Sequence, residues 1–449
     1  MPKTLCLLLL LSCGGKEPAS SSPPPADDSA APADPGQDIR STHLALDLAR
    51  LEGVATLDIR PALGSGEVWV DVSGLTLQGL RLDGASVDHS PVDGILRVPV
   101  DGDAPVTLVV DYAFPGRPRG AYDGWMPDRG ISFIWPDACA NLFPCDPAMR
   151  DGVVFSMELT GVPEGKVAVY STDTTTNSPA YLPAIAVGDF GELVVGTSEG
   201  GTEIRAYYEN DADGPEEAAQ GTAHLVDVMS YYERVYGPYR YGPVMGAVQV
   251  DWGDDYGGIE THPNYHVARW DFADEEVHAH EAAHAWFGDA VRIACWEDFV
   301  LSEGTVTYMA ARAMEQVGGP DFWPYYVDDF LVPVCEGRDV NTIVLPETCN
   351  EIDFINDPLW SLATYMKGAC FYEEVADQIG AERLDTVIAE FYATHAGGAT
   401  EMEVMLDALA AEASPEEQAA IDAAAEAWLR SYDCPADYAA RCRRHGNPP

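Results

Sequence analysis

Positive charge is scarce in this sequence. The 449 residues include 25 lysines and arginines against 74 aspartates and glutamates, which gives a formal net charge of -49 at pH 7. A surface of this sign repels the phosphates of nucleic acids and anionic lipid headgroups, so we expect no nucleic-acid partner. The acidity either keeps an exposed protein soluble in salty surroundings or attracts cationic ligands. Apolar residues still make up 47% of the chain, which is enough for a sizeable core in two or three domains.

Long apolar runs are also missing. The apolar stretch near the start, 5–11, follows Lys3 and is too short to span a bilayer, but it has the length of a signal-peptide core. It leads into a run that resembles a bacterial lipobox, Leu10-Leu11-Ser12-Cys13. In such signals the cleavage precedes the cysteine, and the cysteine thiol carries the lipid. A plain secretory signal with an incidental cysteine is the alternative.

These features predict an exported bacterial protein. We expect residues 1–12 to be a lipoprotein signal peptide and a lipid on Cys13 to be the only attachment to a membrane. The outer membrane or the cell surface is preferred, since Gly14 places no acidic side chain after the cysteine. Residues 13–38 are rich in Ser, Pro, Ala and Asp, a composition that predicts a flexible linker.

The cysteines lack the Cys-x-x-Cys spacing of thiolate zinc sites, so such a site is not expected. Once Cys6 leaves with the signal and Cys13 is assigned to lipid, eight cysteines remain, and an even number in an exported chain indicates disulfides. Spacing cannot fix the connectivity, but three pairs are neighbours in the sequence: Cys139 with Cys145, Cys335 with Cys349, and Cys434 with Cys442.

The order of predicted elements indicates a multidomain α+β fold without internal repeats. Short alternating runs broken by turn residues predict that residues 39–207 form an all-β domain, a sandwich-like saddle. Residues 208–432 pass from mixed α/β into mostly helix. Helices are predicted over 215–235, 277–288, 302–317, 362–379, 401–411 and 415–432. Residues 433–449 are expected to be a C-terminal tail.

The sharpest local pattern is His280-Glu281-Ala282-Ala283-His284. Residues four apart lie on one face of a helix, so both imidazoles can reach a single metal ion. Glu281 can approach a water molecule at that ion without ligating it, and it can act as the general base. The neighbouring apolar residues predict a buried helix, in which two histidines and a glutamate are costly unless a metal compensates them.

A catalytic zinc ion takes three protein ligands and keeps one position open. Glu303, 19 residues after His284 at the start of the next helical run, is the candidate for the third ligand. A lone glutamate there would otherwise be interpreted as an acid stabilising a helix N-terminus. His278 lies two residues from His280 and so faces away from the metal; we interpret it as structural.

These motifs resemble those of the gluzincin metallo-aminopeptidases, the family of alanyl aminopeptidase and the leukotriene hydrolase. The run from His280 through Phe287-Gly288-Asp289 and the later Leu301-Ser302-Glu303-Gly304 match the family's zinc motifs. Gly257-Gly258-Ile259-Glu260-Thr261 is similar to its Gly-Ala-Met-Glu-Asn exopeptidase motif, and Tyr365-Met366-Lys367-Gly368-Ala369 to its Tyr-x-Lys-Gly-Ala. Phe143-Pro144-Cys145 and Tyr236-Gly237-Pro238-Tyr239 are also family-like.

The resemblance implies a thermolysin-like catalytic domain with one zinc ion per chain. It implies that Glu260, presented by the loop of Gly257 and Gly258, holds the free amine of a peptide substrate, and that Tyr365 stabilises the tetrahedral intermediate. The expected activity is hydrolysis of the N-terminal peptide bond, with Glu281 as base. Thr261, Ser302 and Asp289 each replace an Asn of the family, which leaves the catalytic groups intact.

Two alternatives remain open. The large helical domain that closes the cleft in many relatives has no counterpart in these residues, which would suit an open-cleft zinc endopeptidase. A non-catalytic scaffold that binds partners on the same fold is the other. Side-chain preference and oligomeric state are not predicted.

Overall fold

The computed structural model describes residues 36–443, except 135–136, 171, 175, 254–255, 350–351 and 353–356. The predicted signal peptide, Cys13 and nearly all of the predicted linker lie outside these residues. None of the helices in the described part has the length and apolar character needed to cross a membrane.

The first half of the described chain is built from β-strands, as predicted. A six-stranded sheet has the order β10-β1-β2-β7-β4-β5, a four-stranded sheet has the order β11-β12-β9-β8, and β3 pairs with β6. The strands are β1 (Asp38–Asp47), β2 (Glu52–Arg60), β3 (Glu67–Asp71), β4 (Thr76–Leu82), β5 (Ala85–Ser86), β6 (Ile95–Pro99), β7 (Val106–Ala113), β8 (Asp123–Met126), β9 (Ile131–Ile134), β10 (Val154–Thr160), β11 (Val167–Tyr170) and β12 (Ile185–Gly188).

Alternation explains why these segments are strands. In β2 every second residue is buried, with Ala55, Leu57 and Ile59 fully inside, because successive side chains of a strand point to opposite faces. A hairpin turn at Asp83-Gly84 joins β4 and β5. Both residues have positive φ, 49° and 81°, as a tight hairpin turn of this kind requires.

The second half contains a five-stranded sheet with the strand order β13-β14-β15-β17-β16. Its strands are β13 (Phe190–Thr197), β14 (Glu203–Glu209), β15 (Val244–Val250), β16 (Gly258–Ile259) and β17 (Asn264–Ala268), and a small pair follows, β18 (Arg292–Ile293) with β19 (Ala399–Thr400). The prediction assigned β13 and β14 to the β domain, with a boundary at 207. The structure corrects this boundary, because β14 pairs in parallel with β15 and so belongs to the second sheet.

Helices cover this second sheet and fill the rest of the second half. They are α1 (Gly214–Gly221), α2 (Leu225–Val235), α3 (Glu275–Ala283), α4 (Phe299–Val317), α5 (Trp323–Tyr325), α6 (Val332–Cys335), α7 (Leu362–Ile379), α8 (Ala381–His395), α9 (Met402–Ala411), α10 (Pro415–Trp428) and α11 (Tyr438–Arg441). A π-helical turn, Tyr326–Leu331, joins α5 to α6.

Helix α7 has the predicted limits, and α10 begins where predicted. Ser414 and Glu417 form a capping box at the start of α10, and Pro415 occupies the first turn of that helix. The helix predicted over 215–235 is instead divided into α1 and α2. The Thr222 hydroxyl donates to the Ala218 carbonyl and ends α1. Helix α8 was not predicted.

Arg292 joins the two halves of the molecule. Its buried guanidinium donates to the backbone carbonyls of Met149 and Asn177 in the first half, at 3.2 and 3.1 Å. It also donates to the carbonyl of Gly397 in the second half, at 3.0 Å. A buried cation is tolerated when its donors are satisfied, so this side chain holds the two halves in one arrangement.

The described residues contain four disulfides: Cys139–Cys145, Cys295–Cys349, Cys335–Cys434 and Cys370–Cys442. The predicted pair Cys139–Cys145 is confirmed. The pairs Cys335–Cys349 and Cys434–Cys442 are wrong, because folding brings together cysteines that are distant in the sequence. Residues 434–442 are attached to α6 and α7 by two of these bonds, so the start of the predicted tail is part of the fold.

Candidate metal centre and active site

Helix α3 and the residue that follows it present two histidines to one point. His280 and His284 are fully buried, and their Nε2 atoms are 3.2 Å apart. Asp274 caps the start of the helix, and its side chain accepts a hydrogen bond from the Glu276 N–H. The four-residue spacing then places both imidazoles on the same face.

Helix α4 supplies a carboxylate to the same point. Glu303 Oε2 lies 3.2 Å from His280 Nε2 and 3.4 Å from His284 Nε2, and all three side chains are shielded from solvent. Two imidazole nitrogens and a carboxylate oxygen converging in a buried space fit a tetrahedral zinc site with one position left open.

The remaining ring nitrogens support this arrangement. His284 Nδ1 lies 3.0 Å from the Phe287 carbonyl, so Nδ1 carries the hydrogen and Nε2 offers its lone pair. His280 Nδ1 faces the Thr307 hydroxyl at 3.5 Å. Ligating histidines in proteins are oriented by such outer partners. The sequence analysis missed both partners, because neither a carbonyl nor a threonine on the next helix carries a motif.

The electrostatics of the centre favour a cation. Burial lowers the pKa of His284, but the carboxylates of Glu303 and Glu260 outweigh burial and raise it to about 10. Burial raises the pKa of Glu303, yet His284 and His280 outweigh that effect and hold it below its usual value. The carboxylates therefore favour a positive charge at this point, and a bound metal ion would supply that charge in place of the proton on His284.

Glu281 extends from α3 beside this centre. Neither of its carboxylate oxygens has a hydrogen-bond partner among the described residues, and the side chain is fully buried. Burial raises its pKa well above the usual value, while His284 lowers it. The carboxylate occupies the space beside Gly258, where a Cβ atom would lie 2.3 Å from Oε1. The absence of a side chain at 258 thus lets β16 pass directly over the base.

Glu260 follows β16 and is 1% exposed. Ligand atoms of Glu260, Glu281 and His284 all lie within 4.8 Å of one another, so the end of β16 brings a second carboxylate to the metal site. The carbonyl of Gly257 accepts a hydrogen bond from the Ala268 N–H at 2.7 Å, which fixes the turn that precedes Glu260.

Tyr365 reaches the centre from α7. Its ring is fully buried and stacks on the His280 ring, with centroids 5.9 Å apart and planes inclined by 24°. The rings of Phe299 and Tyr365 also pack edge to face, with centroids 6.0 Å apart. The structure therefore brings together all the residues that the sequence analysis placed in the site.

Two further histidines clarify how α3 is held. His262 was not predicted; its Nε2 lies 2.8 Å from the Glu281 carbonyl and its Nδ1 lies 3.2 Å from the Tyr239 hydroxyl. Burial lowers its pKa to about 3, so it is a neutral hydrogen-bonding group. His278, interpreted as structural, contacts the Tyr265 hydroxyl and the Phe272 carbonyl at 2.9 and 2.8 Å.

The first turn of α3 carries buried acids. Glu276 is 2% exposed, and its Oε1 accepts a hydrogen bond from the Tyr326 hydroxyl at 2.7 Å. Burial, with Asp274 and Asp271 nearby, raises the pKa of Glu276 to about 8. Burial also raises the pKa of Asp271 to about 7. The helix that bears the metal ligands therefore begins in a cluster that binds protons near neutral pH.

Comparison with known structures shows a shared fold. An M1 zinc metallopeptidase mutant from Deinococcus radiodurans aligns with a TM-score of 0.74 at 18% identity, over 89% of this chain and 96% of that one. Native yeast LTA4 hydrolase aligns with a TM-score of 0.71 at 19% identity, over 89% of this chain and 69% of that one.

Sequence comparison gives distant relatives. Leucine aminopeptidase 2 of Pyricularia oryzae is 24% identical over 314 residues, which cover 61% of this chain and 49% of the relative. Aminopeptidase N of Streptomyces lividans is 25% identical over 404 residues, which cover 79% of this chain and 46% of the relative. The chain thus spans about half the length of these curated relatives.

Fold and site together resemble those of the gluzincin zinc metallopeptidases, in which two histidines of one helix and a glutamate of the next converge on the metal. Residues 261–428 match the peptidase family M1 domain. The α+β fold class predicted from the sequence is confirmed, and the M1 domain match agrees with the predicted family.

Proposed function

We propose that the protein is an aminopeptidase that hydrolyses the N-terminal bond of peptides. The observation that carries this proposal is the position of Glu260, a buried carboxylate that shares a 4.8 Å cluster with Glu281 and His284. A carboxylate at this place anchors a cationic amine one residue away from the bond under attack. Only a peptide with a free N-terminus offers such an amine.

The side chains divide the chemistry between them. His280, His284 and Glu303 would hold the zinc ion, which when bound supplies Lewis acidity and makes water and carbonyl carbon more reactive. Glu281 takes a proton from the attacking water and passes it to the leaving amine. Burial raises its pKa, which strengthens it as a proton acceptor. Tyr365 donates its hydroxyl hydrogen to the oxyanion that develops at the carbonyl.

The contribution of Glu260 has an expected size. Hydrogen bonds to charged groups stabilise by about 1.5–3 kcal/mol, or roughly ten- to hundredfold in binding. Anchoring the amine also decides which carbonyl lies at the metal, so much of this energy is expressed in the transition state.

The test compares one peptide in free and N-acetylated forms. The native enzyme should release single residues from the free form and cleave the acetylated form poorly. Glu260→Ala should depress cleavage of the free form by roughly ten- to hundredfold and leave the zinc content unchanged. Internal fragments from the acetylated peptide would support the open-cleft endopeptidase instead. Absence of any cleavage by zinc-loaded protein would favour the non-catalytic scaffold.

We also propose that the protein is exported and anchored to a bacterial membrane through a lipid on Cys13. The lipobox-like run and the Ser/Pro-rich stretch that follows it support this proposal. Mass spectrometry of the mature N-terminus should find a chain that starts at a lipid-modified Cys13 and lacks Cys6. An unmodified chain that starts elsewhere would contradict the proposal.

A further inference from the structure

Helix α7 carries two stripes of residues that face in opposite directions. Tyr365, Gly368 and Tyr372 follow helical spacing along one side. Lys367, Cys370 and Glu374 repeat the same spacing two positions later, about 200° around the helix at 100° per residue. The first stripe contacts the catalytic centre and α4, and the second contacts the end of the chain.

The first stripe fixes how closely α7 approaches the metal site. Tyr365 stacks on His280. At Gly368 a Cβ atom would lie 2.6 Å from the Cα of Gly304, the residue after the ligand Glu303. The Thr305 hydroxyl donates to the Tyr372 hydroxyl at 2.9 Å. The two helices therefore touch backbone to backbone, and α7 has no room to move towards α4.

The second stripe begins with a fully buried lysine. Lys367 Nζ donates to Asn341 Oδ1 at 3.1 Å and to three backbone carbonyls, those of Thr342, Ser431 and Tyr432, at 2.7, 2.8 and 3.1 Å. The chain has only four lysines. An ammonium inside a protein is costly unless its three N–H donors find acceptors, and these four oxygens supply enough acceptors.

The rest of the stripe makes equally specific contacts. Cys370 is bonded to Cys442. Glu374 Oε2 accepts hydrogen bonds from Trp428 Nε1 at 2.8 Å and from Arg441 Nε at 2.7 Å. A charged, a covalent and a hydrogen-bonded contact thus join one face of α7 to residues 428–442.

We propose that residues 428–442, here named the C-terminal brace, hold α7 against α4 and so position Tyr365 over the metal site. Lys367, Cys370 and Glu374 are positioning residues that act through Tyr365. The inference rests on the proposed function for the role of Tyr365, but the mechanical coupling can be measured without it. Without the brace, α7 would keep its contact with α4 on one side only.

The first experiment is a double-mutant cycle. Lys367→Met removes the ammonium and keeps the length of the side chain. We expect kcat to fall about tenfold or more, with KM changed less than about twofold and zinc content unchanged. In a Tyr365→Phe background the same substitution should cost almost nothing further, because the group that it positions is already gone. Additive losses, or loss of zinc, would overturn the proposal.

Two further variants keep the test decisive. Arg441→Met loosens the far end of the brace and removes no fully buried group, so it serves if Lys367→Met fails to fold. Arg430→Met is the matched control: it removes an exposed ion pair that the same segment makes with Glu403 of α9. The control should retain native kcat; a loss equal to that of Arg441→Met would overturn the proposal.

Hydrogen exchange separates this inference from the proposed function. In the Lys367→Met or Arg441→Met protein, amides of 362–374 should exchange about tenfold faster or more than in the control, while amides of α3 remain unchanged. This result would support the brace even if the native protein cleaved no peptide. Unchanged exchange in α7 would refute the brace even if the native protein were an active aminopeptidase.

Discussion

Glu276 allows a quantitative prediction about stability and pH. Its carboxylate is buried in the first turn of α3 and has a pKa of about 8, against 4.5 for the unperturbed group. Between these values the folded protein binds a proton that the unfolded chain does not bind. By linkage, the free energy of unfolding contributed by this group is fully present below pH 4.5 and is lost as the pH rises through 8.

Glu276→Gln removes this titration and keeps an oxygen for the Tyr326 hydroxyl. One pKa unit corresponds to 1.36 kcal/mol, so the native protein should lose up to about 3 kcal/mol of stability relative to the variant between pH 5.5 and 7.5. Asp271 titrates in both proteins, so its contribution to the pH dependence largely cancels in the comparison. The neutral amide at position 276 will, however, weaken the repulsion that Asp271 experiences. An observed difference of about 1–3 kcal/mol is therefore expected, with the variant gaining as the pH rises.

The assay is urea unfolding of both proteins at pH 5.5, 6.5 and 7.5, followed by tryptophan fluorescence. Glu416→Gln, in the exposed first turn of α10, makes the same change of net charge and controls for long-range effects. A difference between Glu276→Gln and native protein that stays constant over this range would show that Glu276 is ionised throughout, and would refute the reasoning.

Three further outcomes follow from the site and the interface between the halves. Glu281→Gln should lower kcat by about 10² or more and retain one zinc ion per chain by metal analysis, because Glu281 is a base and not a ligand; near-native turnover would contradict this role. Glu303→Ala should lose zinc on dialysis at concentrations where native protein retains it, since two ligands do not complete the site; full zinc occupancy would exclude Glu303 as a ligand. Arg292→Met should lower the free energy of unfolding by several kcal/mol, because it strands buried carbonyls of both halves, and unchanged denaturant midpoints would show that Arg292 does not join them.

The elements that were predicted best are those whose ends are marked locally. Helix α7 begins after the short turn ending at Ser361 and stops at Gly380, whose φ is 91°, and Pro415 with its capping box marks the start of α10. Helix α8 follows Gly380 without a cap of this kind, so no signal separated it from its neighbours. Alternation indicates that the segments of β13 and β14 are strands, but alternation does not say which sheet a strand joins.

The residues of the site were predicted on different grounds, and some could not be predicted. Spacing alone predicted that His280 and His284 share a face, and Glu281 followed from the same motif. Glu260 and Tyr365 were predicted from the family resemblance. Their distance from α3 along the sequence does not indicate whether they lie near α3 in the fold. His262 and the cage around Lys367 were not predictable, since each depends on carbonyl groups that tertiary folding brings into reach.

The three disulfides of the second half interleave along the chain: Cys295–Cys349 overlaps Cys335–Cys434, which overlaps Cys370–Cys442. Every peptide bond between Cys295 and Cys442 is therefore enclosed by at least one of these covalent loops. A protease that cuts once in this region cannot release a fragment, and the nicked enzyme would keep α3, α4 and α7 in one covalent molecule. Such a chain would show its cut only after reduction, when the pieces separate.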